Sequence, residues 1–276
     1  MPETTPSAVG GQLWLPTTAK ELQRLGWEQC DVILFSGDAY VDHPAFGAAV
    51  IGRVLQSHGY KVAIVPQPTG RTTCATSRSS AAHGCFRGIA RRDGLDGQPL
   101  HSRPPSASRR CYTPGGRHGA RPDYPSIVYT KILKELYPDI PVVLGGIEPS
   151  LRRLSHYDYW QDRLRPSILM DSPADMLVYG MGEKTTCAIA AHLDSGLPLS
   201  ELTDLEQTVI LLPKEMTPQP DDSNIVLHSM EECLASKRCQ AENFKHIEQQ
   251  SNRYHGATLW QVHGDKVVKV NPMYPP

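Results

Sequence analysis

Four short apolar runs, each closed by glycine or proline, constrain the fold of this chain more than any other feature. They lie at residues 31–37 (DVILFSG), 61–65 (KVAIV, then Pro66), 141–146 (PVVLGG) and 176–180 (MLVYG). Runs of this length, rich in branched residues and apolar without alternation, read as strands buried on both faces. Between them the apolar spacing turns helical. Pro44 stands as a first helical residue, Phe46, Val50, Val54 and Leu55 recur behind it, and Gly59 is the stop. Val128, Ile132, Leu133 and Leu136 share a second helical face, broken at Tyr137-Pro138, and a third helix is expected over 183–192. Strand, loop, helix and strand at such short spacing predict right-handed βαβ units. The expected fold is α/β, an open, doubly wound and mainly parallel sheet of Rossmann-like type.

The chain divides on this reading into a loose terminus (1–14), an α/β domain (15–205) and a small α+β appendage and linker (206–276). A short helix is expected within 15–26, with Thr17 or Thr18 as its cap. After Thr208 the grammar changes: strands are expected at 209–212 and 225–227, one long polar helix over 230–250, and a hairpin around His263-Gly264-Asp265.

Ligands of open parallel sheets bind beyond the carboxyl ends of the strands, because crossover helices cover both faces. Three loops qualify. The first holds Asp38, Tyr40, Asp42 and His43 ahead of a helix start, where free N–H groups favour an anion. Asp42 could instead serve only as the helix cap. The second carries Gly145, Gly146 and Glu148; the third carries Gly180, Gly182 and Glu183. Paired glycines allow a ligand to approach the backbone or simply make a tight turn. The third loop lacks the full dinucleotide spacing, so NAD is not expected. Residues 151–166 interleave Arg152, Arg153, Arg163 and Arg165 with His156, Tyr157, Tyr159 and Trp160. Arginine with aromatics marks docking surfaces and nucleic-acid stacking sites; docking against another domain is the preferred reading, a solvated helix the plainer one.

No catalytic residue and no metal site is expected. Cys233 and Cys239 are six apart on an expected helix, whereas helical neighbours are three or four apart, and Cys74, Cys85 and Cys111 share no ligand spacing. Seven cysteines, an odd number, point to a reducing compartment and a cytoplasmic location. No apolar run is long enough for a membrane span.

The words GDAYVDHPAFGAA (37–49), YTPGG and RPD (112–116, 121–123), LGGIEPSLRRLSHYDYW (144–160) and VYGMGEK (178–184) resemble the YgiQ family of radical S-adenosylmethionine proteins. The resemblance implies a cobalamin-binding-like α/β domain placed ahead of a radical barrel. It implies a 4Fe-4S cluster and S-adenosylmethionine in that barrel, whose C-x3-C-x2-C motif would lie beyond Pro276. The missing radical domain is then the chief partner, and the substrate is a small molecule or RNA of unknown identity. The cobalt-ligating motif D-x-H-x-x-G is absent, since Asp42-His43-Pro44 does not match it, which argues against cobalamin. The implied function is an N-terminal accessory domain, inactive alone. The alternative is a free-standing α/β module for an anionic small molecule or RNA.

One stretch breaks the grammar. Residues 69–110 carry eight Arg, two Asp and no Lys, with Ile89, Leu95 and Leu100 as their only branched aliphatics. The family words stop at about Thr69 and return at Tyr112. Codon degeneracy allows a shifted frame over 86–100 to read FGVSPGAMDSMVNHY, and 70–84 admits a shifted reading in the other frame. An out-of-frame, disordered stretch is expected, leaving the sheet without its central strand or with an irregular filling. A natural basic insert that binds nucleic acid is the rival.

Overall fold

The computed structural model describes residues 14–68, 86–90 and 122–275, with 86–90 described as backbone. The strands are β1 (Val32–Ser36), β2 (Val62–Pro66), β3 (Phe86–Ala90), β4 (Val142–Leu144), β5 (His156–Asp158) and β6 (Arg163–Arg165). They continue with β7 (Met176–Val178), β8 (Thr208–Pro213), β9 (Asn224–Val226), β10 (Thr258–His263) and β11 (Lys266–Val270). The helices are α1 (Ala19–Arg24), α2 (Gly47–Ser57), α3 (Pro125–Leu136), α4 (Ile147–Leu151), α5 (Ile168–Asp171), α6 (Glu183–Asp194), α7 (Met230–Ala235) and α8 (Lys237–Ser251).

Among the described residues, nine strands form one sheet in the order β2-β1-β3-β4-β7-β8-β11-β10-β9. The first five run parallel, with Val32 opposite Val62 and Leu144 opposite Leu177. All four runs expected as strands are therefore parallel in one sheet. Every residue of β1 is buried, and alternate residues enter two different cores. Val32 and Leu34 pack with Leu55 of α2 and Ile189 of α6; Ile33 and Phe35 pack with Tyr129 and Leu133 of α3. Alternation of side chains across a strand makes helices on both faces the means of burying both rows. Each fully buried leucine contributes about 1.5–3 kcal/mol.

The expectation of a sheet without its central strand is overturned. Residues 86–90 lie between β1 and β4 in regular parallel register with both. A gap there would strand two rows of backbone donors and acceptors, and a ladder recruits backbone irrespective of side-chain type. The rest of 69–110, with its expected frame shift and disorder, lies outside the described residues, as do most of 1–14 and Cys74, Cys85 and Cys111.

The chain beyond 205 continues the same sheet. β8 pairs antiparallel with β7, and the β10–β11 hairpin turns at Gly264. The expected long helix is two helices, because Ser236 is extended (φ −142°, ψ 116°) and ends α7 before α8 begins. Two further expectations are corrected. α2 starts at Gly47, not Pro44, because residues 41–46 close on themselves through Phe46 N–H to His43 C=O at 2.9 Å. The buried stripe of α3 is Ser126, Tyr129, Thr130 and Leu133, set by the Glu148 partner of Ser126 and by the core beyond Tyr129. No helix among the described residues is long and apolar enough to cross a membrane.

Candidate ligand site at the carboxyl edge of the sheet

The order β2-β1-β3-β4 reverses direction beside β1, and the loops after β1, β4 and β7 meet at that edge. They enclose a cavity of about 290 Å³. Its floor is glycine: Gly145 and Gly146 after β4, Gly180 and Gly182 after β7. Gly146 (φ 90°) and Gly180 (φ 69°) occupy the left-handed region, which a side chain resists. At Gly180 a Cβ would also stand 2.9 Å from Gln207 Nε2. Ile51, Val143 and Val178 make the apolar wall, and Glu183 and the exposed Met181 stand at the rim.

Two helix starts reach this cavity without side-chain caps. Phe46 precedes α2 and Gly182 precedes α6, and neither offers a side-chain acceptor to the first-turn N–H groups. Backbone donors left open at a helix start, with the positive end of the dipole, suit an anionic or strongly accepting group. The arrangement can hold a molecule with an apolar body and one such end.

The candidates divide sharply. Gly145, Gly146, Gly180, Gly182 and Glu183 line the cavity; Asp38, Tyr40, Asp42, His43 and Glu148 are not among its lining residues. Asp38 is buried, its N–H donating to Ser36 Oγ at 3.2 Å. Tyr40 accepts from the Leu15 N–H at 3.2 Å, and burial raises its pKa. Asp42 is neither cap nor open ligand, because both its oxygens engage Arg53 of α2. His43 uses Nδ1 to accept from Ala45 N–H at 3.1 Å. Glu148 is buried, accepts from Ser126 Oγ at 2.7 Å and lies 3.4 Å from Arg152 Nη1. Ala45, Ile51 and Thr186 are lining residues that the sequence reading missed. Thr186 sits one helical turn beyond Glu183, a spacing that could have flagged it.

Residues 151–166 do not form the solvated helix of the plainer reading; β5 and β6 pair as an antiparallel hairpin. Arg152 and Arg153 turn inward, Arg152 over the Tyr124 ring at 4.9 Å and Arg153 over the Tyr179 ring at 4.9 Å. Burial lowers the pKa of Arg153 and of His156, whose Nδ1 lies 3.2 Å from Leu154 C=O. Tyr157, Tyr159 and Trp160 face solvent.

A metal cluster finds no ligand set among the described residues. Among the described residues no three His, Cys, Asp or Glu side chains are grouped for a metal, and the described cysteines are Cys30, Cys187, Cys233 and Cys239. Burial raises the Cys187 and Cys233 thiols, which disfavours the thiolate that iron requires. The described residues do not fit a 4Fe-4S cluster.

The chain's last described residues return to this edge. Gln207 N–H donates to Pro272 C=O at 2.8 Å, and Lys184 Nζ stands 5.5 Å from the Tyr274 ring centroid. Tyr274 therefore lies beside the 180–184 loop.

Comparison with known proteins gives a family. The radical SAM N-terminal family model matches residues 14–276. A UPF0313 protein of Porphyromonas gingivalis is 51% identical over 265 residues, 95% of this chain and 42% of that protein. Relatives in Bacteroides thetaiotaomicron (50% identical, 95% of this chain, 44% of that protein) and Geobacter sulfurreducens (40%, 94% and 42%) carry the same name. The chain spans less than half the length of these relatives. A solved radical S-adenosylmethionine methyltransferase, TsrM of Kitasatospora setae with cobalamin and a 4Fe-4S cluster, is 18% identical. It matches 65% of this chain and 26% of its own at a TM-score of 0.41, a likeness too weak to carry an argument. With one family model running from residue 14 to the last residue and relatives this similar along nearly its whole length, the chain belongs to the radical SAM N-terminal family.

Proposed function

We propose that this chain is the N-terminal accessory part of a radical S-adenosylmethionine iron–sulfur enzyme and performs no catalysis alone. Its cavity holds one end of a small substrate, which the remainder of the longer polypeptide covers and transforms. The observation that carries this reading is the seat of Tyr274 against Lys184. Relatives are more than twice as long, and Tyr274 stands beside Lys184, the neighbour of the cavity-lining Glu183. Binding sites are common where two domains meet, since each supplies half of the enclosure. The uncapped starts of α2 and α6 select an anionic or accepting end, and Ile51, Val143 and Val178 an apolar body. In the complete enzyme the cluster supplies the radical chemistry, and these residues orient the substrate and exclude water.

The test is anaerobic reconstitution with iron and sulfide of this chain and of the intact Porphyromonas gingivalis relative. The relative should gain 4Fe-4S absorbance and cleave S-adenosylmethionine, and this chain should do neither, because clusters need grouped thiolates. A stoichiometric cluster on this chain, or none on the relative, overturns the reading. Tight binding of AMP or a short RNA to this chain alone would instead favour a free-standing binding module.

A further inference from the structure

The β5–β6 hairpin presents three large aromatic side chains to solvent: Tyr157 (60% exposed), Tyr159 (61%) and Trp160 (55%). Their backbone is held from beneath. One Asp158 oxygen accepts from the N–H groups of Trp160 and Gln161, at 3.0 and 3.2 Å, and the other from the Tyr124 hydroxyl at 2.9 Å. Tyr157 donates to Asp162, and the Tyr159 and Trp160 rings lie 5.0 Å apart. Aromatic anchors fixed in advance lose little entropy on docking, the character of an interface hot spot.

The hairpin shares an edge with Tyr274. Tyr124 heads α3 and Gly146 heads α4, both at the carboxyl edge, where Tyr274 also sits. The charge pattern argues against nucleic acid. Arg163 and Arg165 both donate to Gln161 Oε1, at 2.8 and 2.7 Å, Arg165 also to Asp171, and Arg152 is turned inward. The Arg152 and Arg165 guanidinium groups are held within the fold and Arg163 alone is exposed, whereas a strand of phosphates needs several directed outward. We infer that Tyr157, Tyr159 and Trp160 form the surface on which the polypeptide following this region in the longer family members docks. This rests on the proposed function and adds a contact area beside the cavity.

The test places a photoreactive amino acid in the intact Porphyromonas gingivalis relative, at the position matching Trp160. Matched positions for Met181 at the cavity rim and for Phe244 on α8 (60% exposed) receive it in parallel. Position 160 should cross-link within the same chain to peptides beyond the match, roughly fivefold above position 244, as a buried anchor would. Cross-linking from 181 but not 160 overturns this inference and leaves the covered cavity standing. Cross-linking from 160 but not 181 supports it and removes the cover from the cavity. Capture of RNA at 160, or no capture at either position, overturns it.

Discussion

Arg53 grips Asp42 across eleven residues, Nε to one carboxylate oxygen at 3.2 Å and Nη2 to the other. The pair fastens the first strand-end loop to α2, so the loop is shaped before any ligand arrives. The Arg53 guanidinium lowers the Asp42 pKa, and the Asp42 carboxylate in turn raises that of Arg53. Because the folded pKa of Asp42 lies below the unfolded one, its contribution is complete above the unfolded value and is lost as pH falls through the folded one. Both groups are partly exposed, so Asp42→Asn should cost only about 0.5 kcal/mol at pH 7. That difference from the parent should vanish by about pH 2. Urea unfolding at the two pH values checks it; an undiminished difference at low pH would exclude the ion pair as its source.

Glu148 should behave as part of the core rather than as a ligand. It is a buried residue of α4 with Ser126 and Arg152 as partners. Glu148→Ala leaves a buried hydroxyl and a guanidinium poorly matched and should cost about 3 kcal/mol. Ala45→Ser, at an exposed cavity-lining position, should cost under about 0.5 kcal/mol. Denaturant midpoints of the two variants decide it, and a near-neutral Glu148→Ala would return that carboxylate to the list of ligand contacts.

His263 gives the second half of the sheet an acid sensitivity. It is buried in β10, its Nε2 lies 3.2 Å from Gln261 Oε1, and its Nδ1 has no partner among the described residues. Burial pushes its pKa down to about 4, with Glu231 opposing. The neutral ring is the native form, so its contribution is full above about pH 6.5 and lost as pH falls toward 4. His263→Gln should flatten the stability curve over that interval by about 3 kcal/mol. Thermal melts between pH 7 and 4 measure this, and a parallel loss in parent and variant would refute it.

Resequencing the DNA behind residues 69–110 should reveal compensating single-base shifts that restore family-like words between Thr69 and Tyr112. The restored segment should raise stability, because it gives the central strand an apolar composition matched to the two buried faces of the sheet. An unchanged frame in independent reads, with the natural chain as stable as the restored one, would dismiss the frame reading.

The sequence by itself determined the strands around β1, β2, β4 and β7, their parallel sense, and the glycine loops that floor the cavity. Those features are local: alternate burial, a helical period and a glycine at a strand end leave their mark within a few residues. Tertiary structure alone decided that Asp42 answers to Arg53, that Glu148 is buried beneath Ser126, and that Arg152 and Arg153 face inward while Trp160 faces out. A polar side chain reads the same in sequence whether it caps, pairs or binds, because its role is set by what approaches from distant positions. The β5–β6 hairpin was hidden in the same way, since the Tyr124 hydroxyl that steadies its turn comes from 34 residues away. The central strand was decided by the sheet, whose open edges take up backbone whatever side chains it carries.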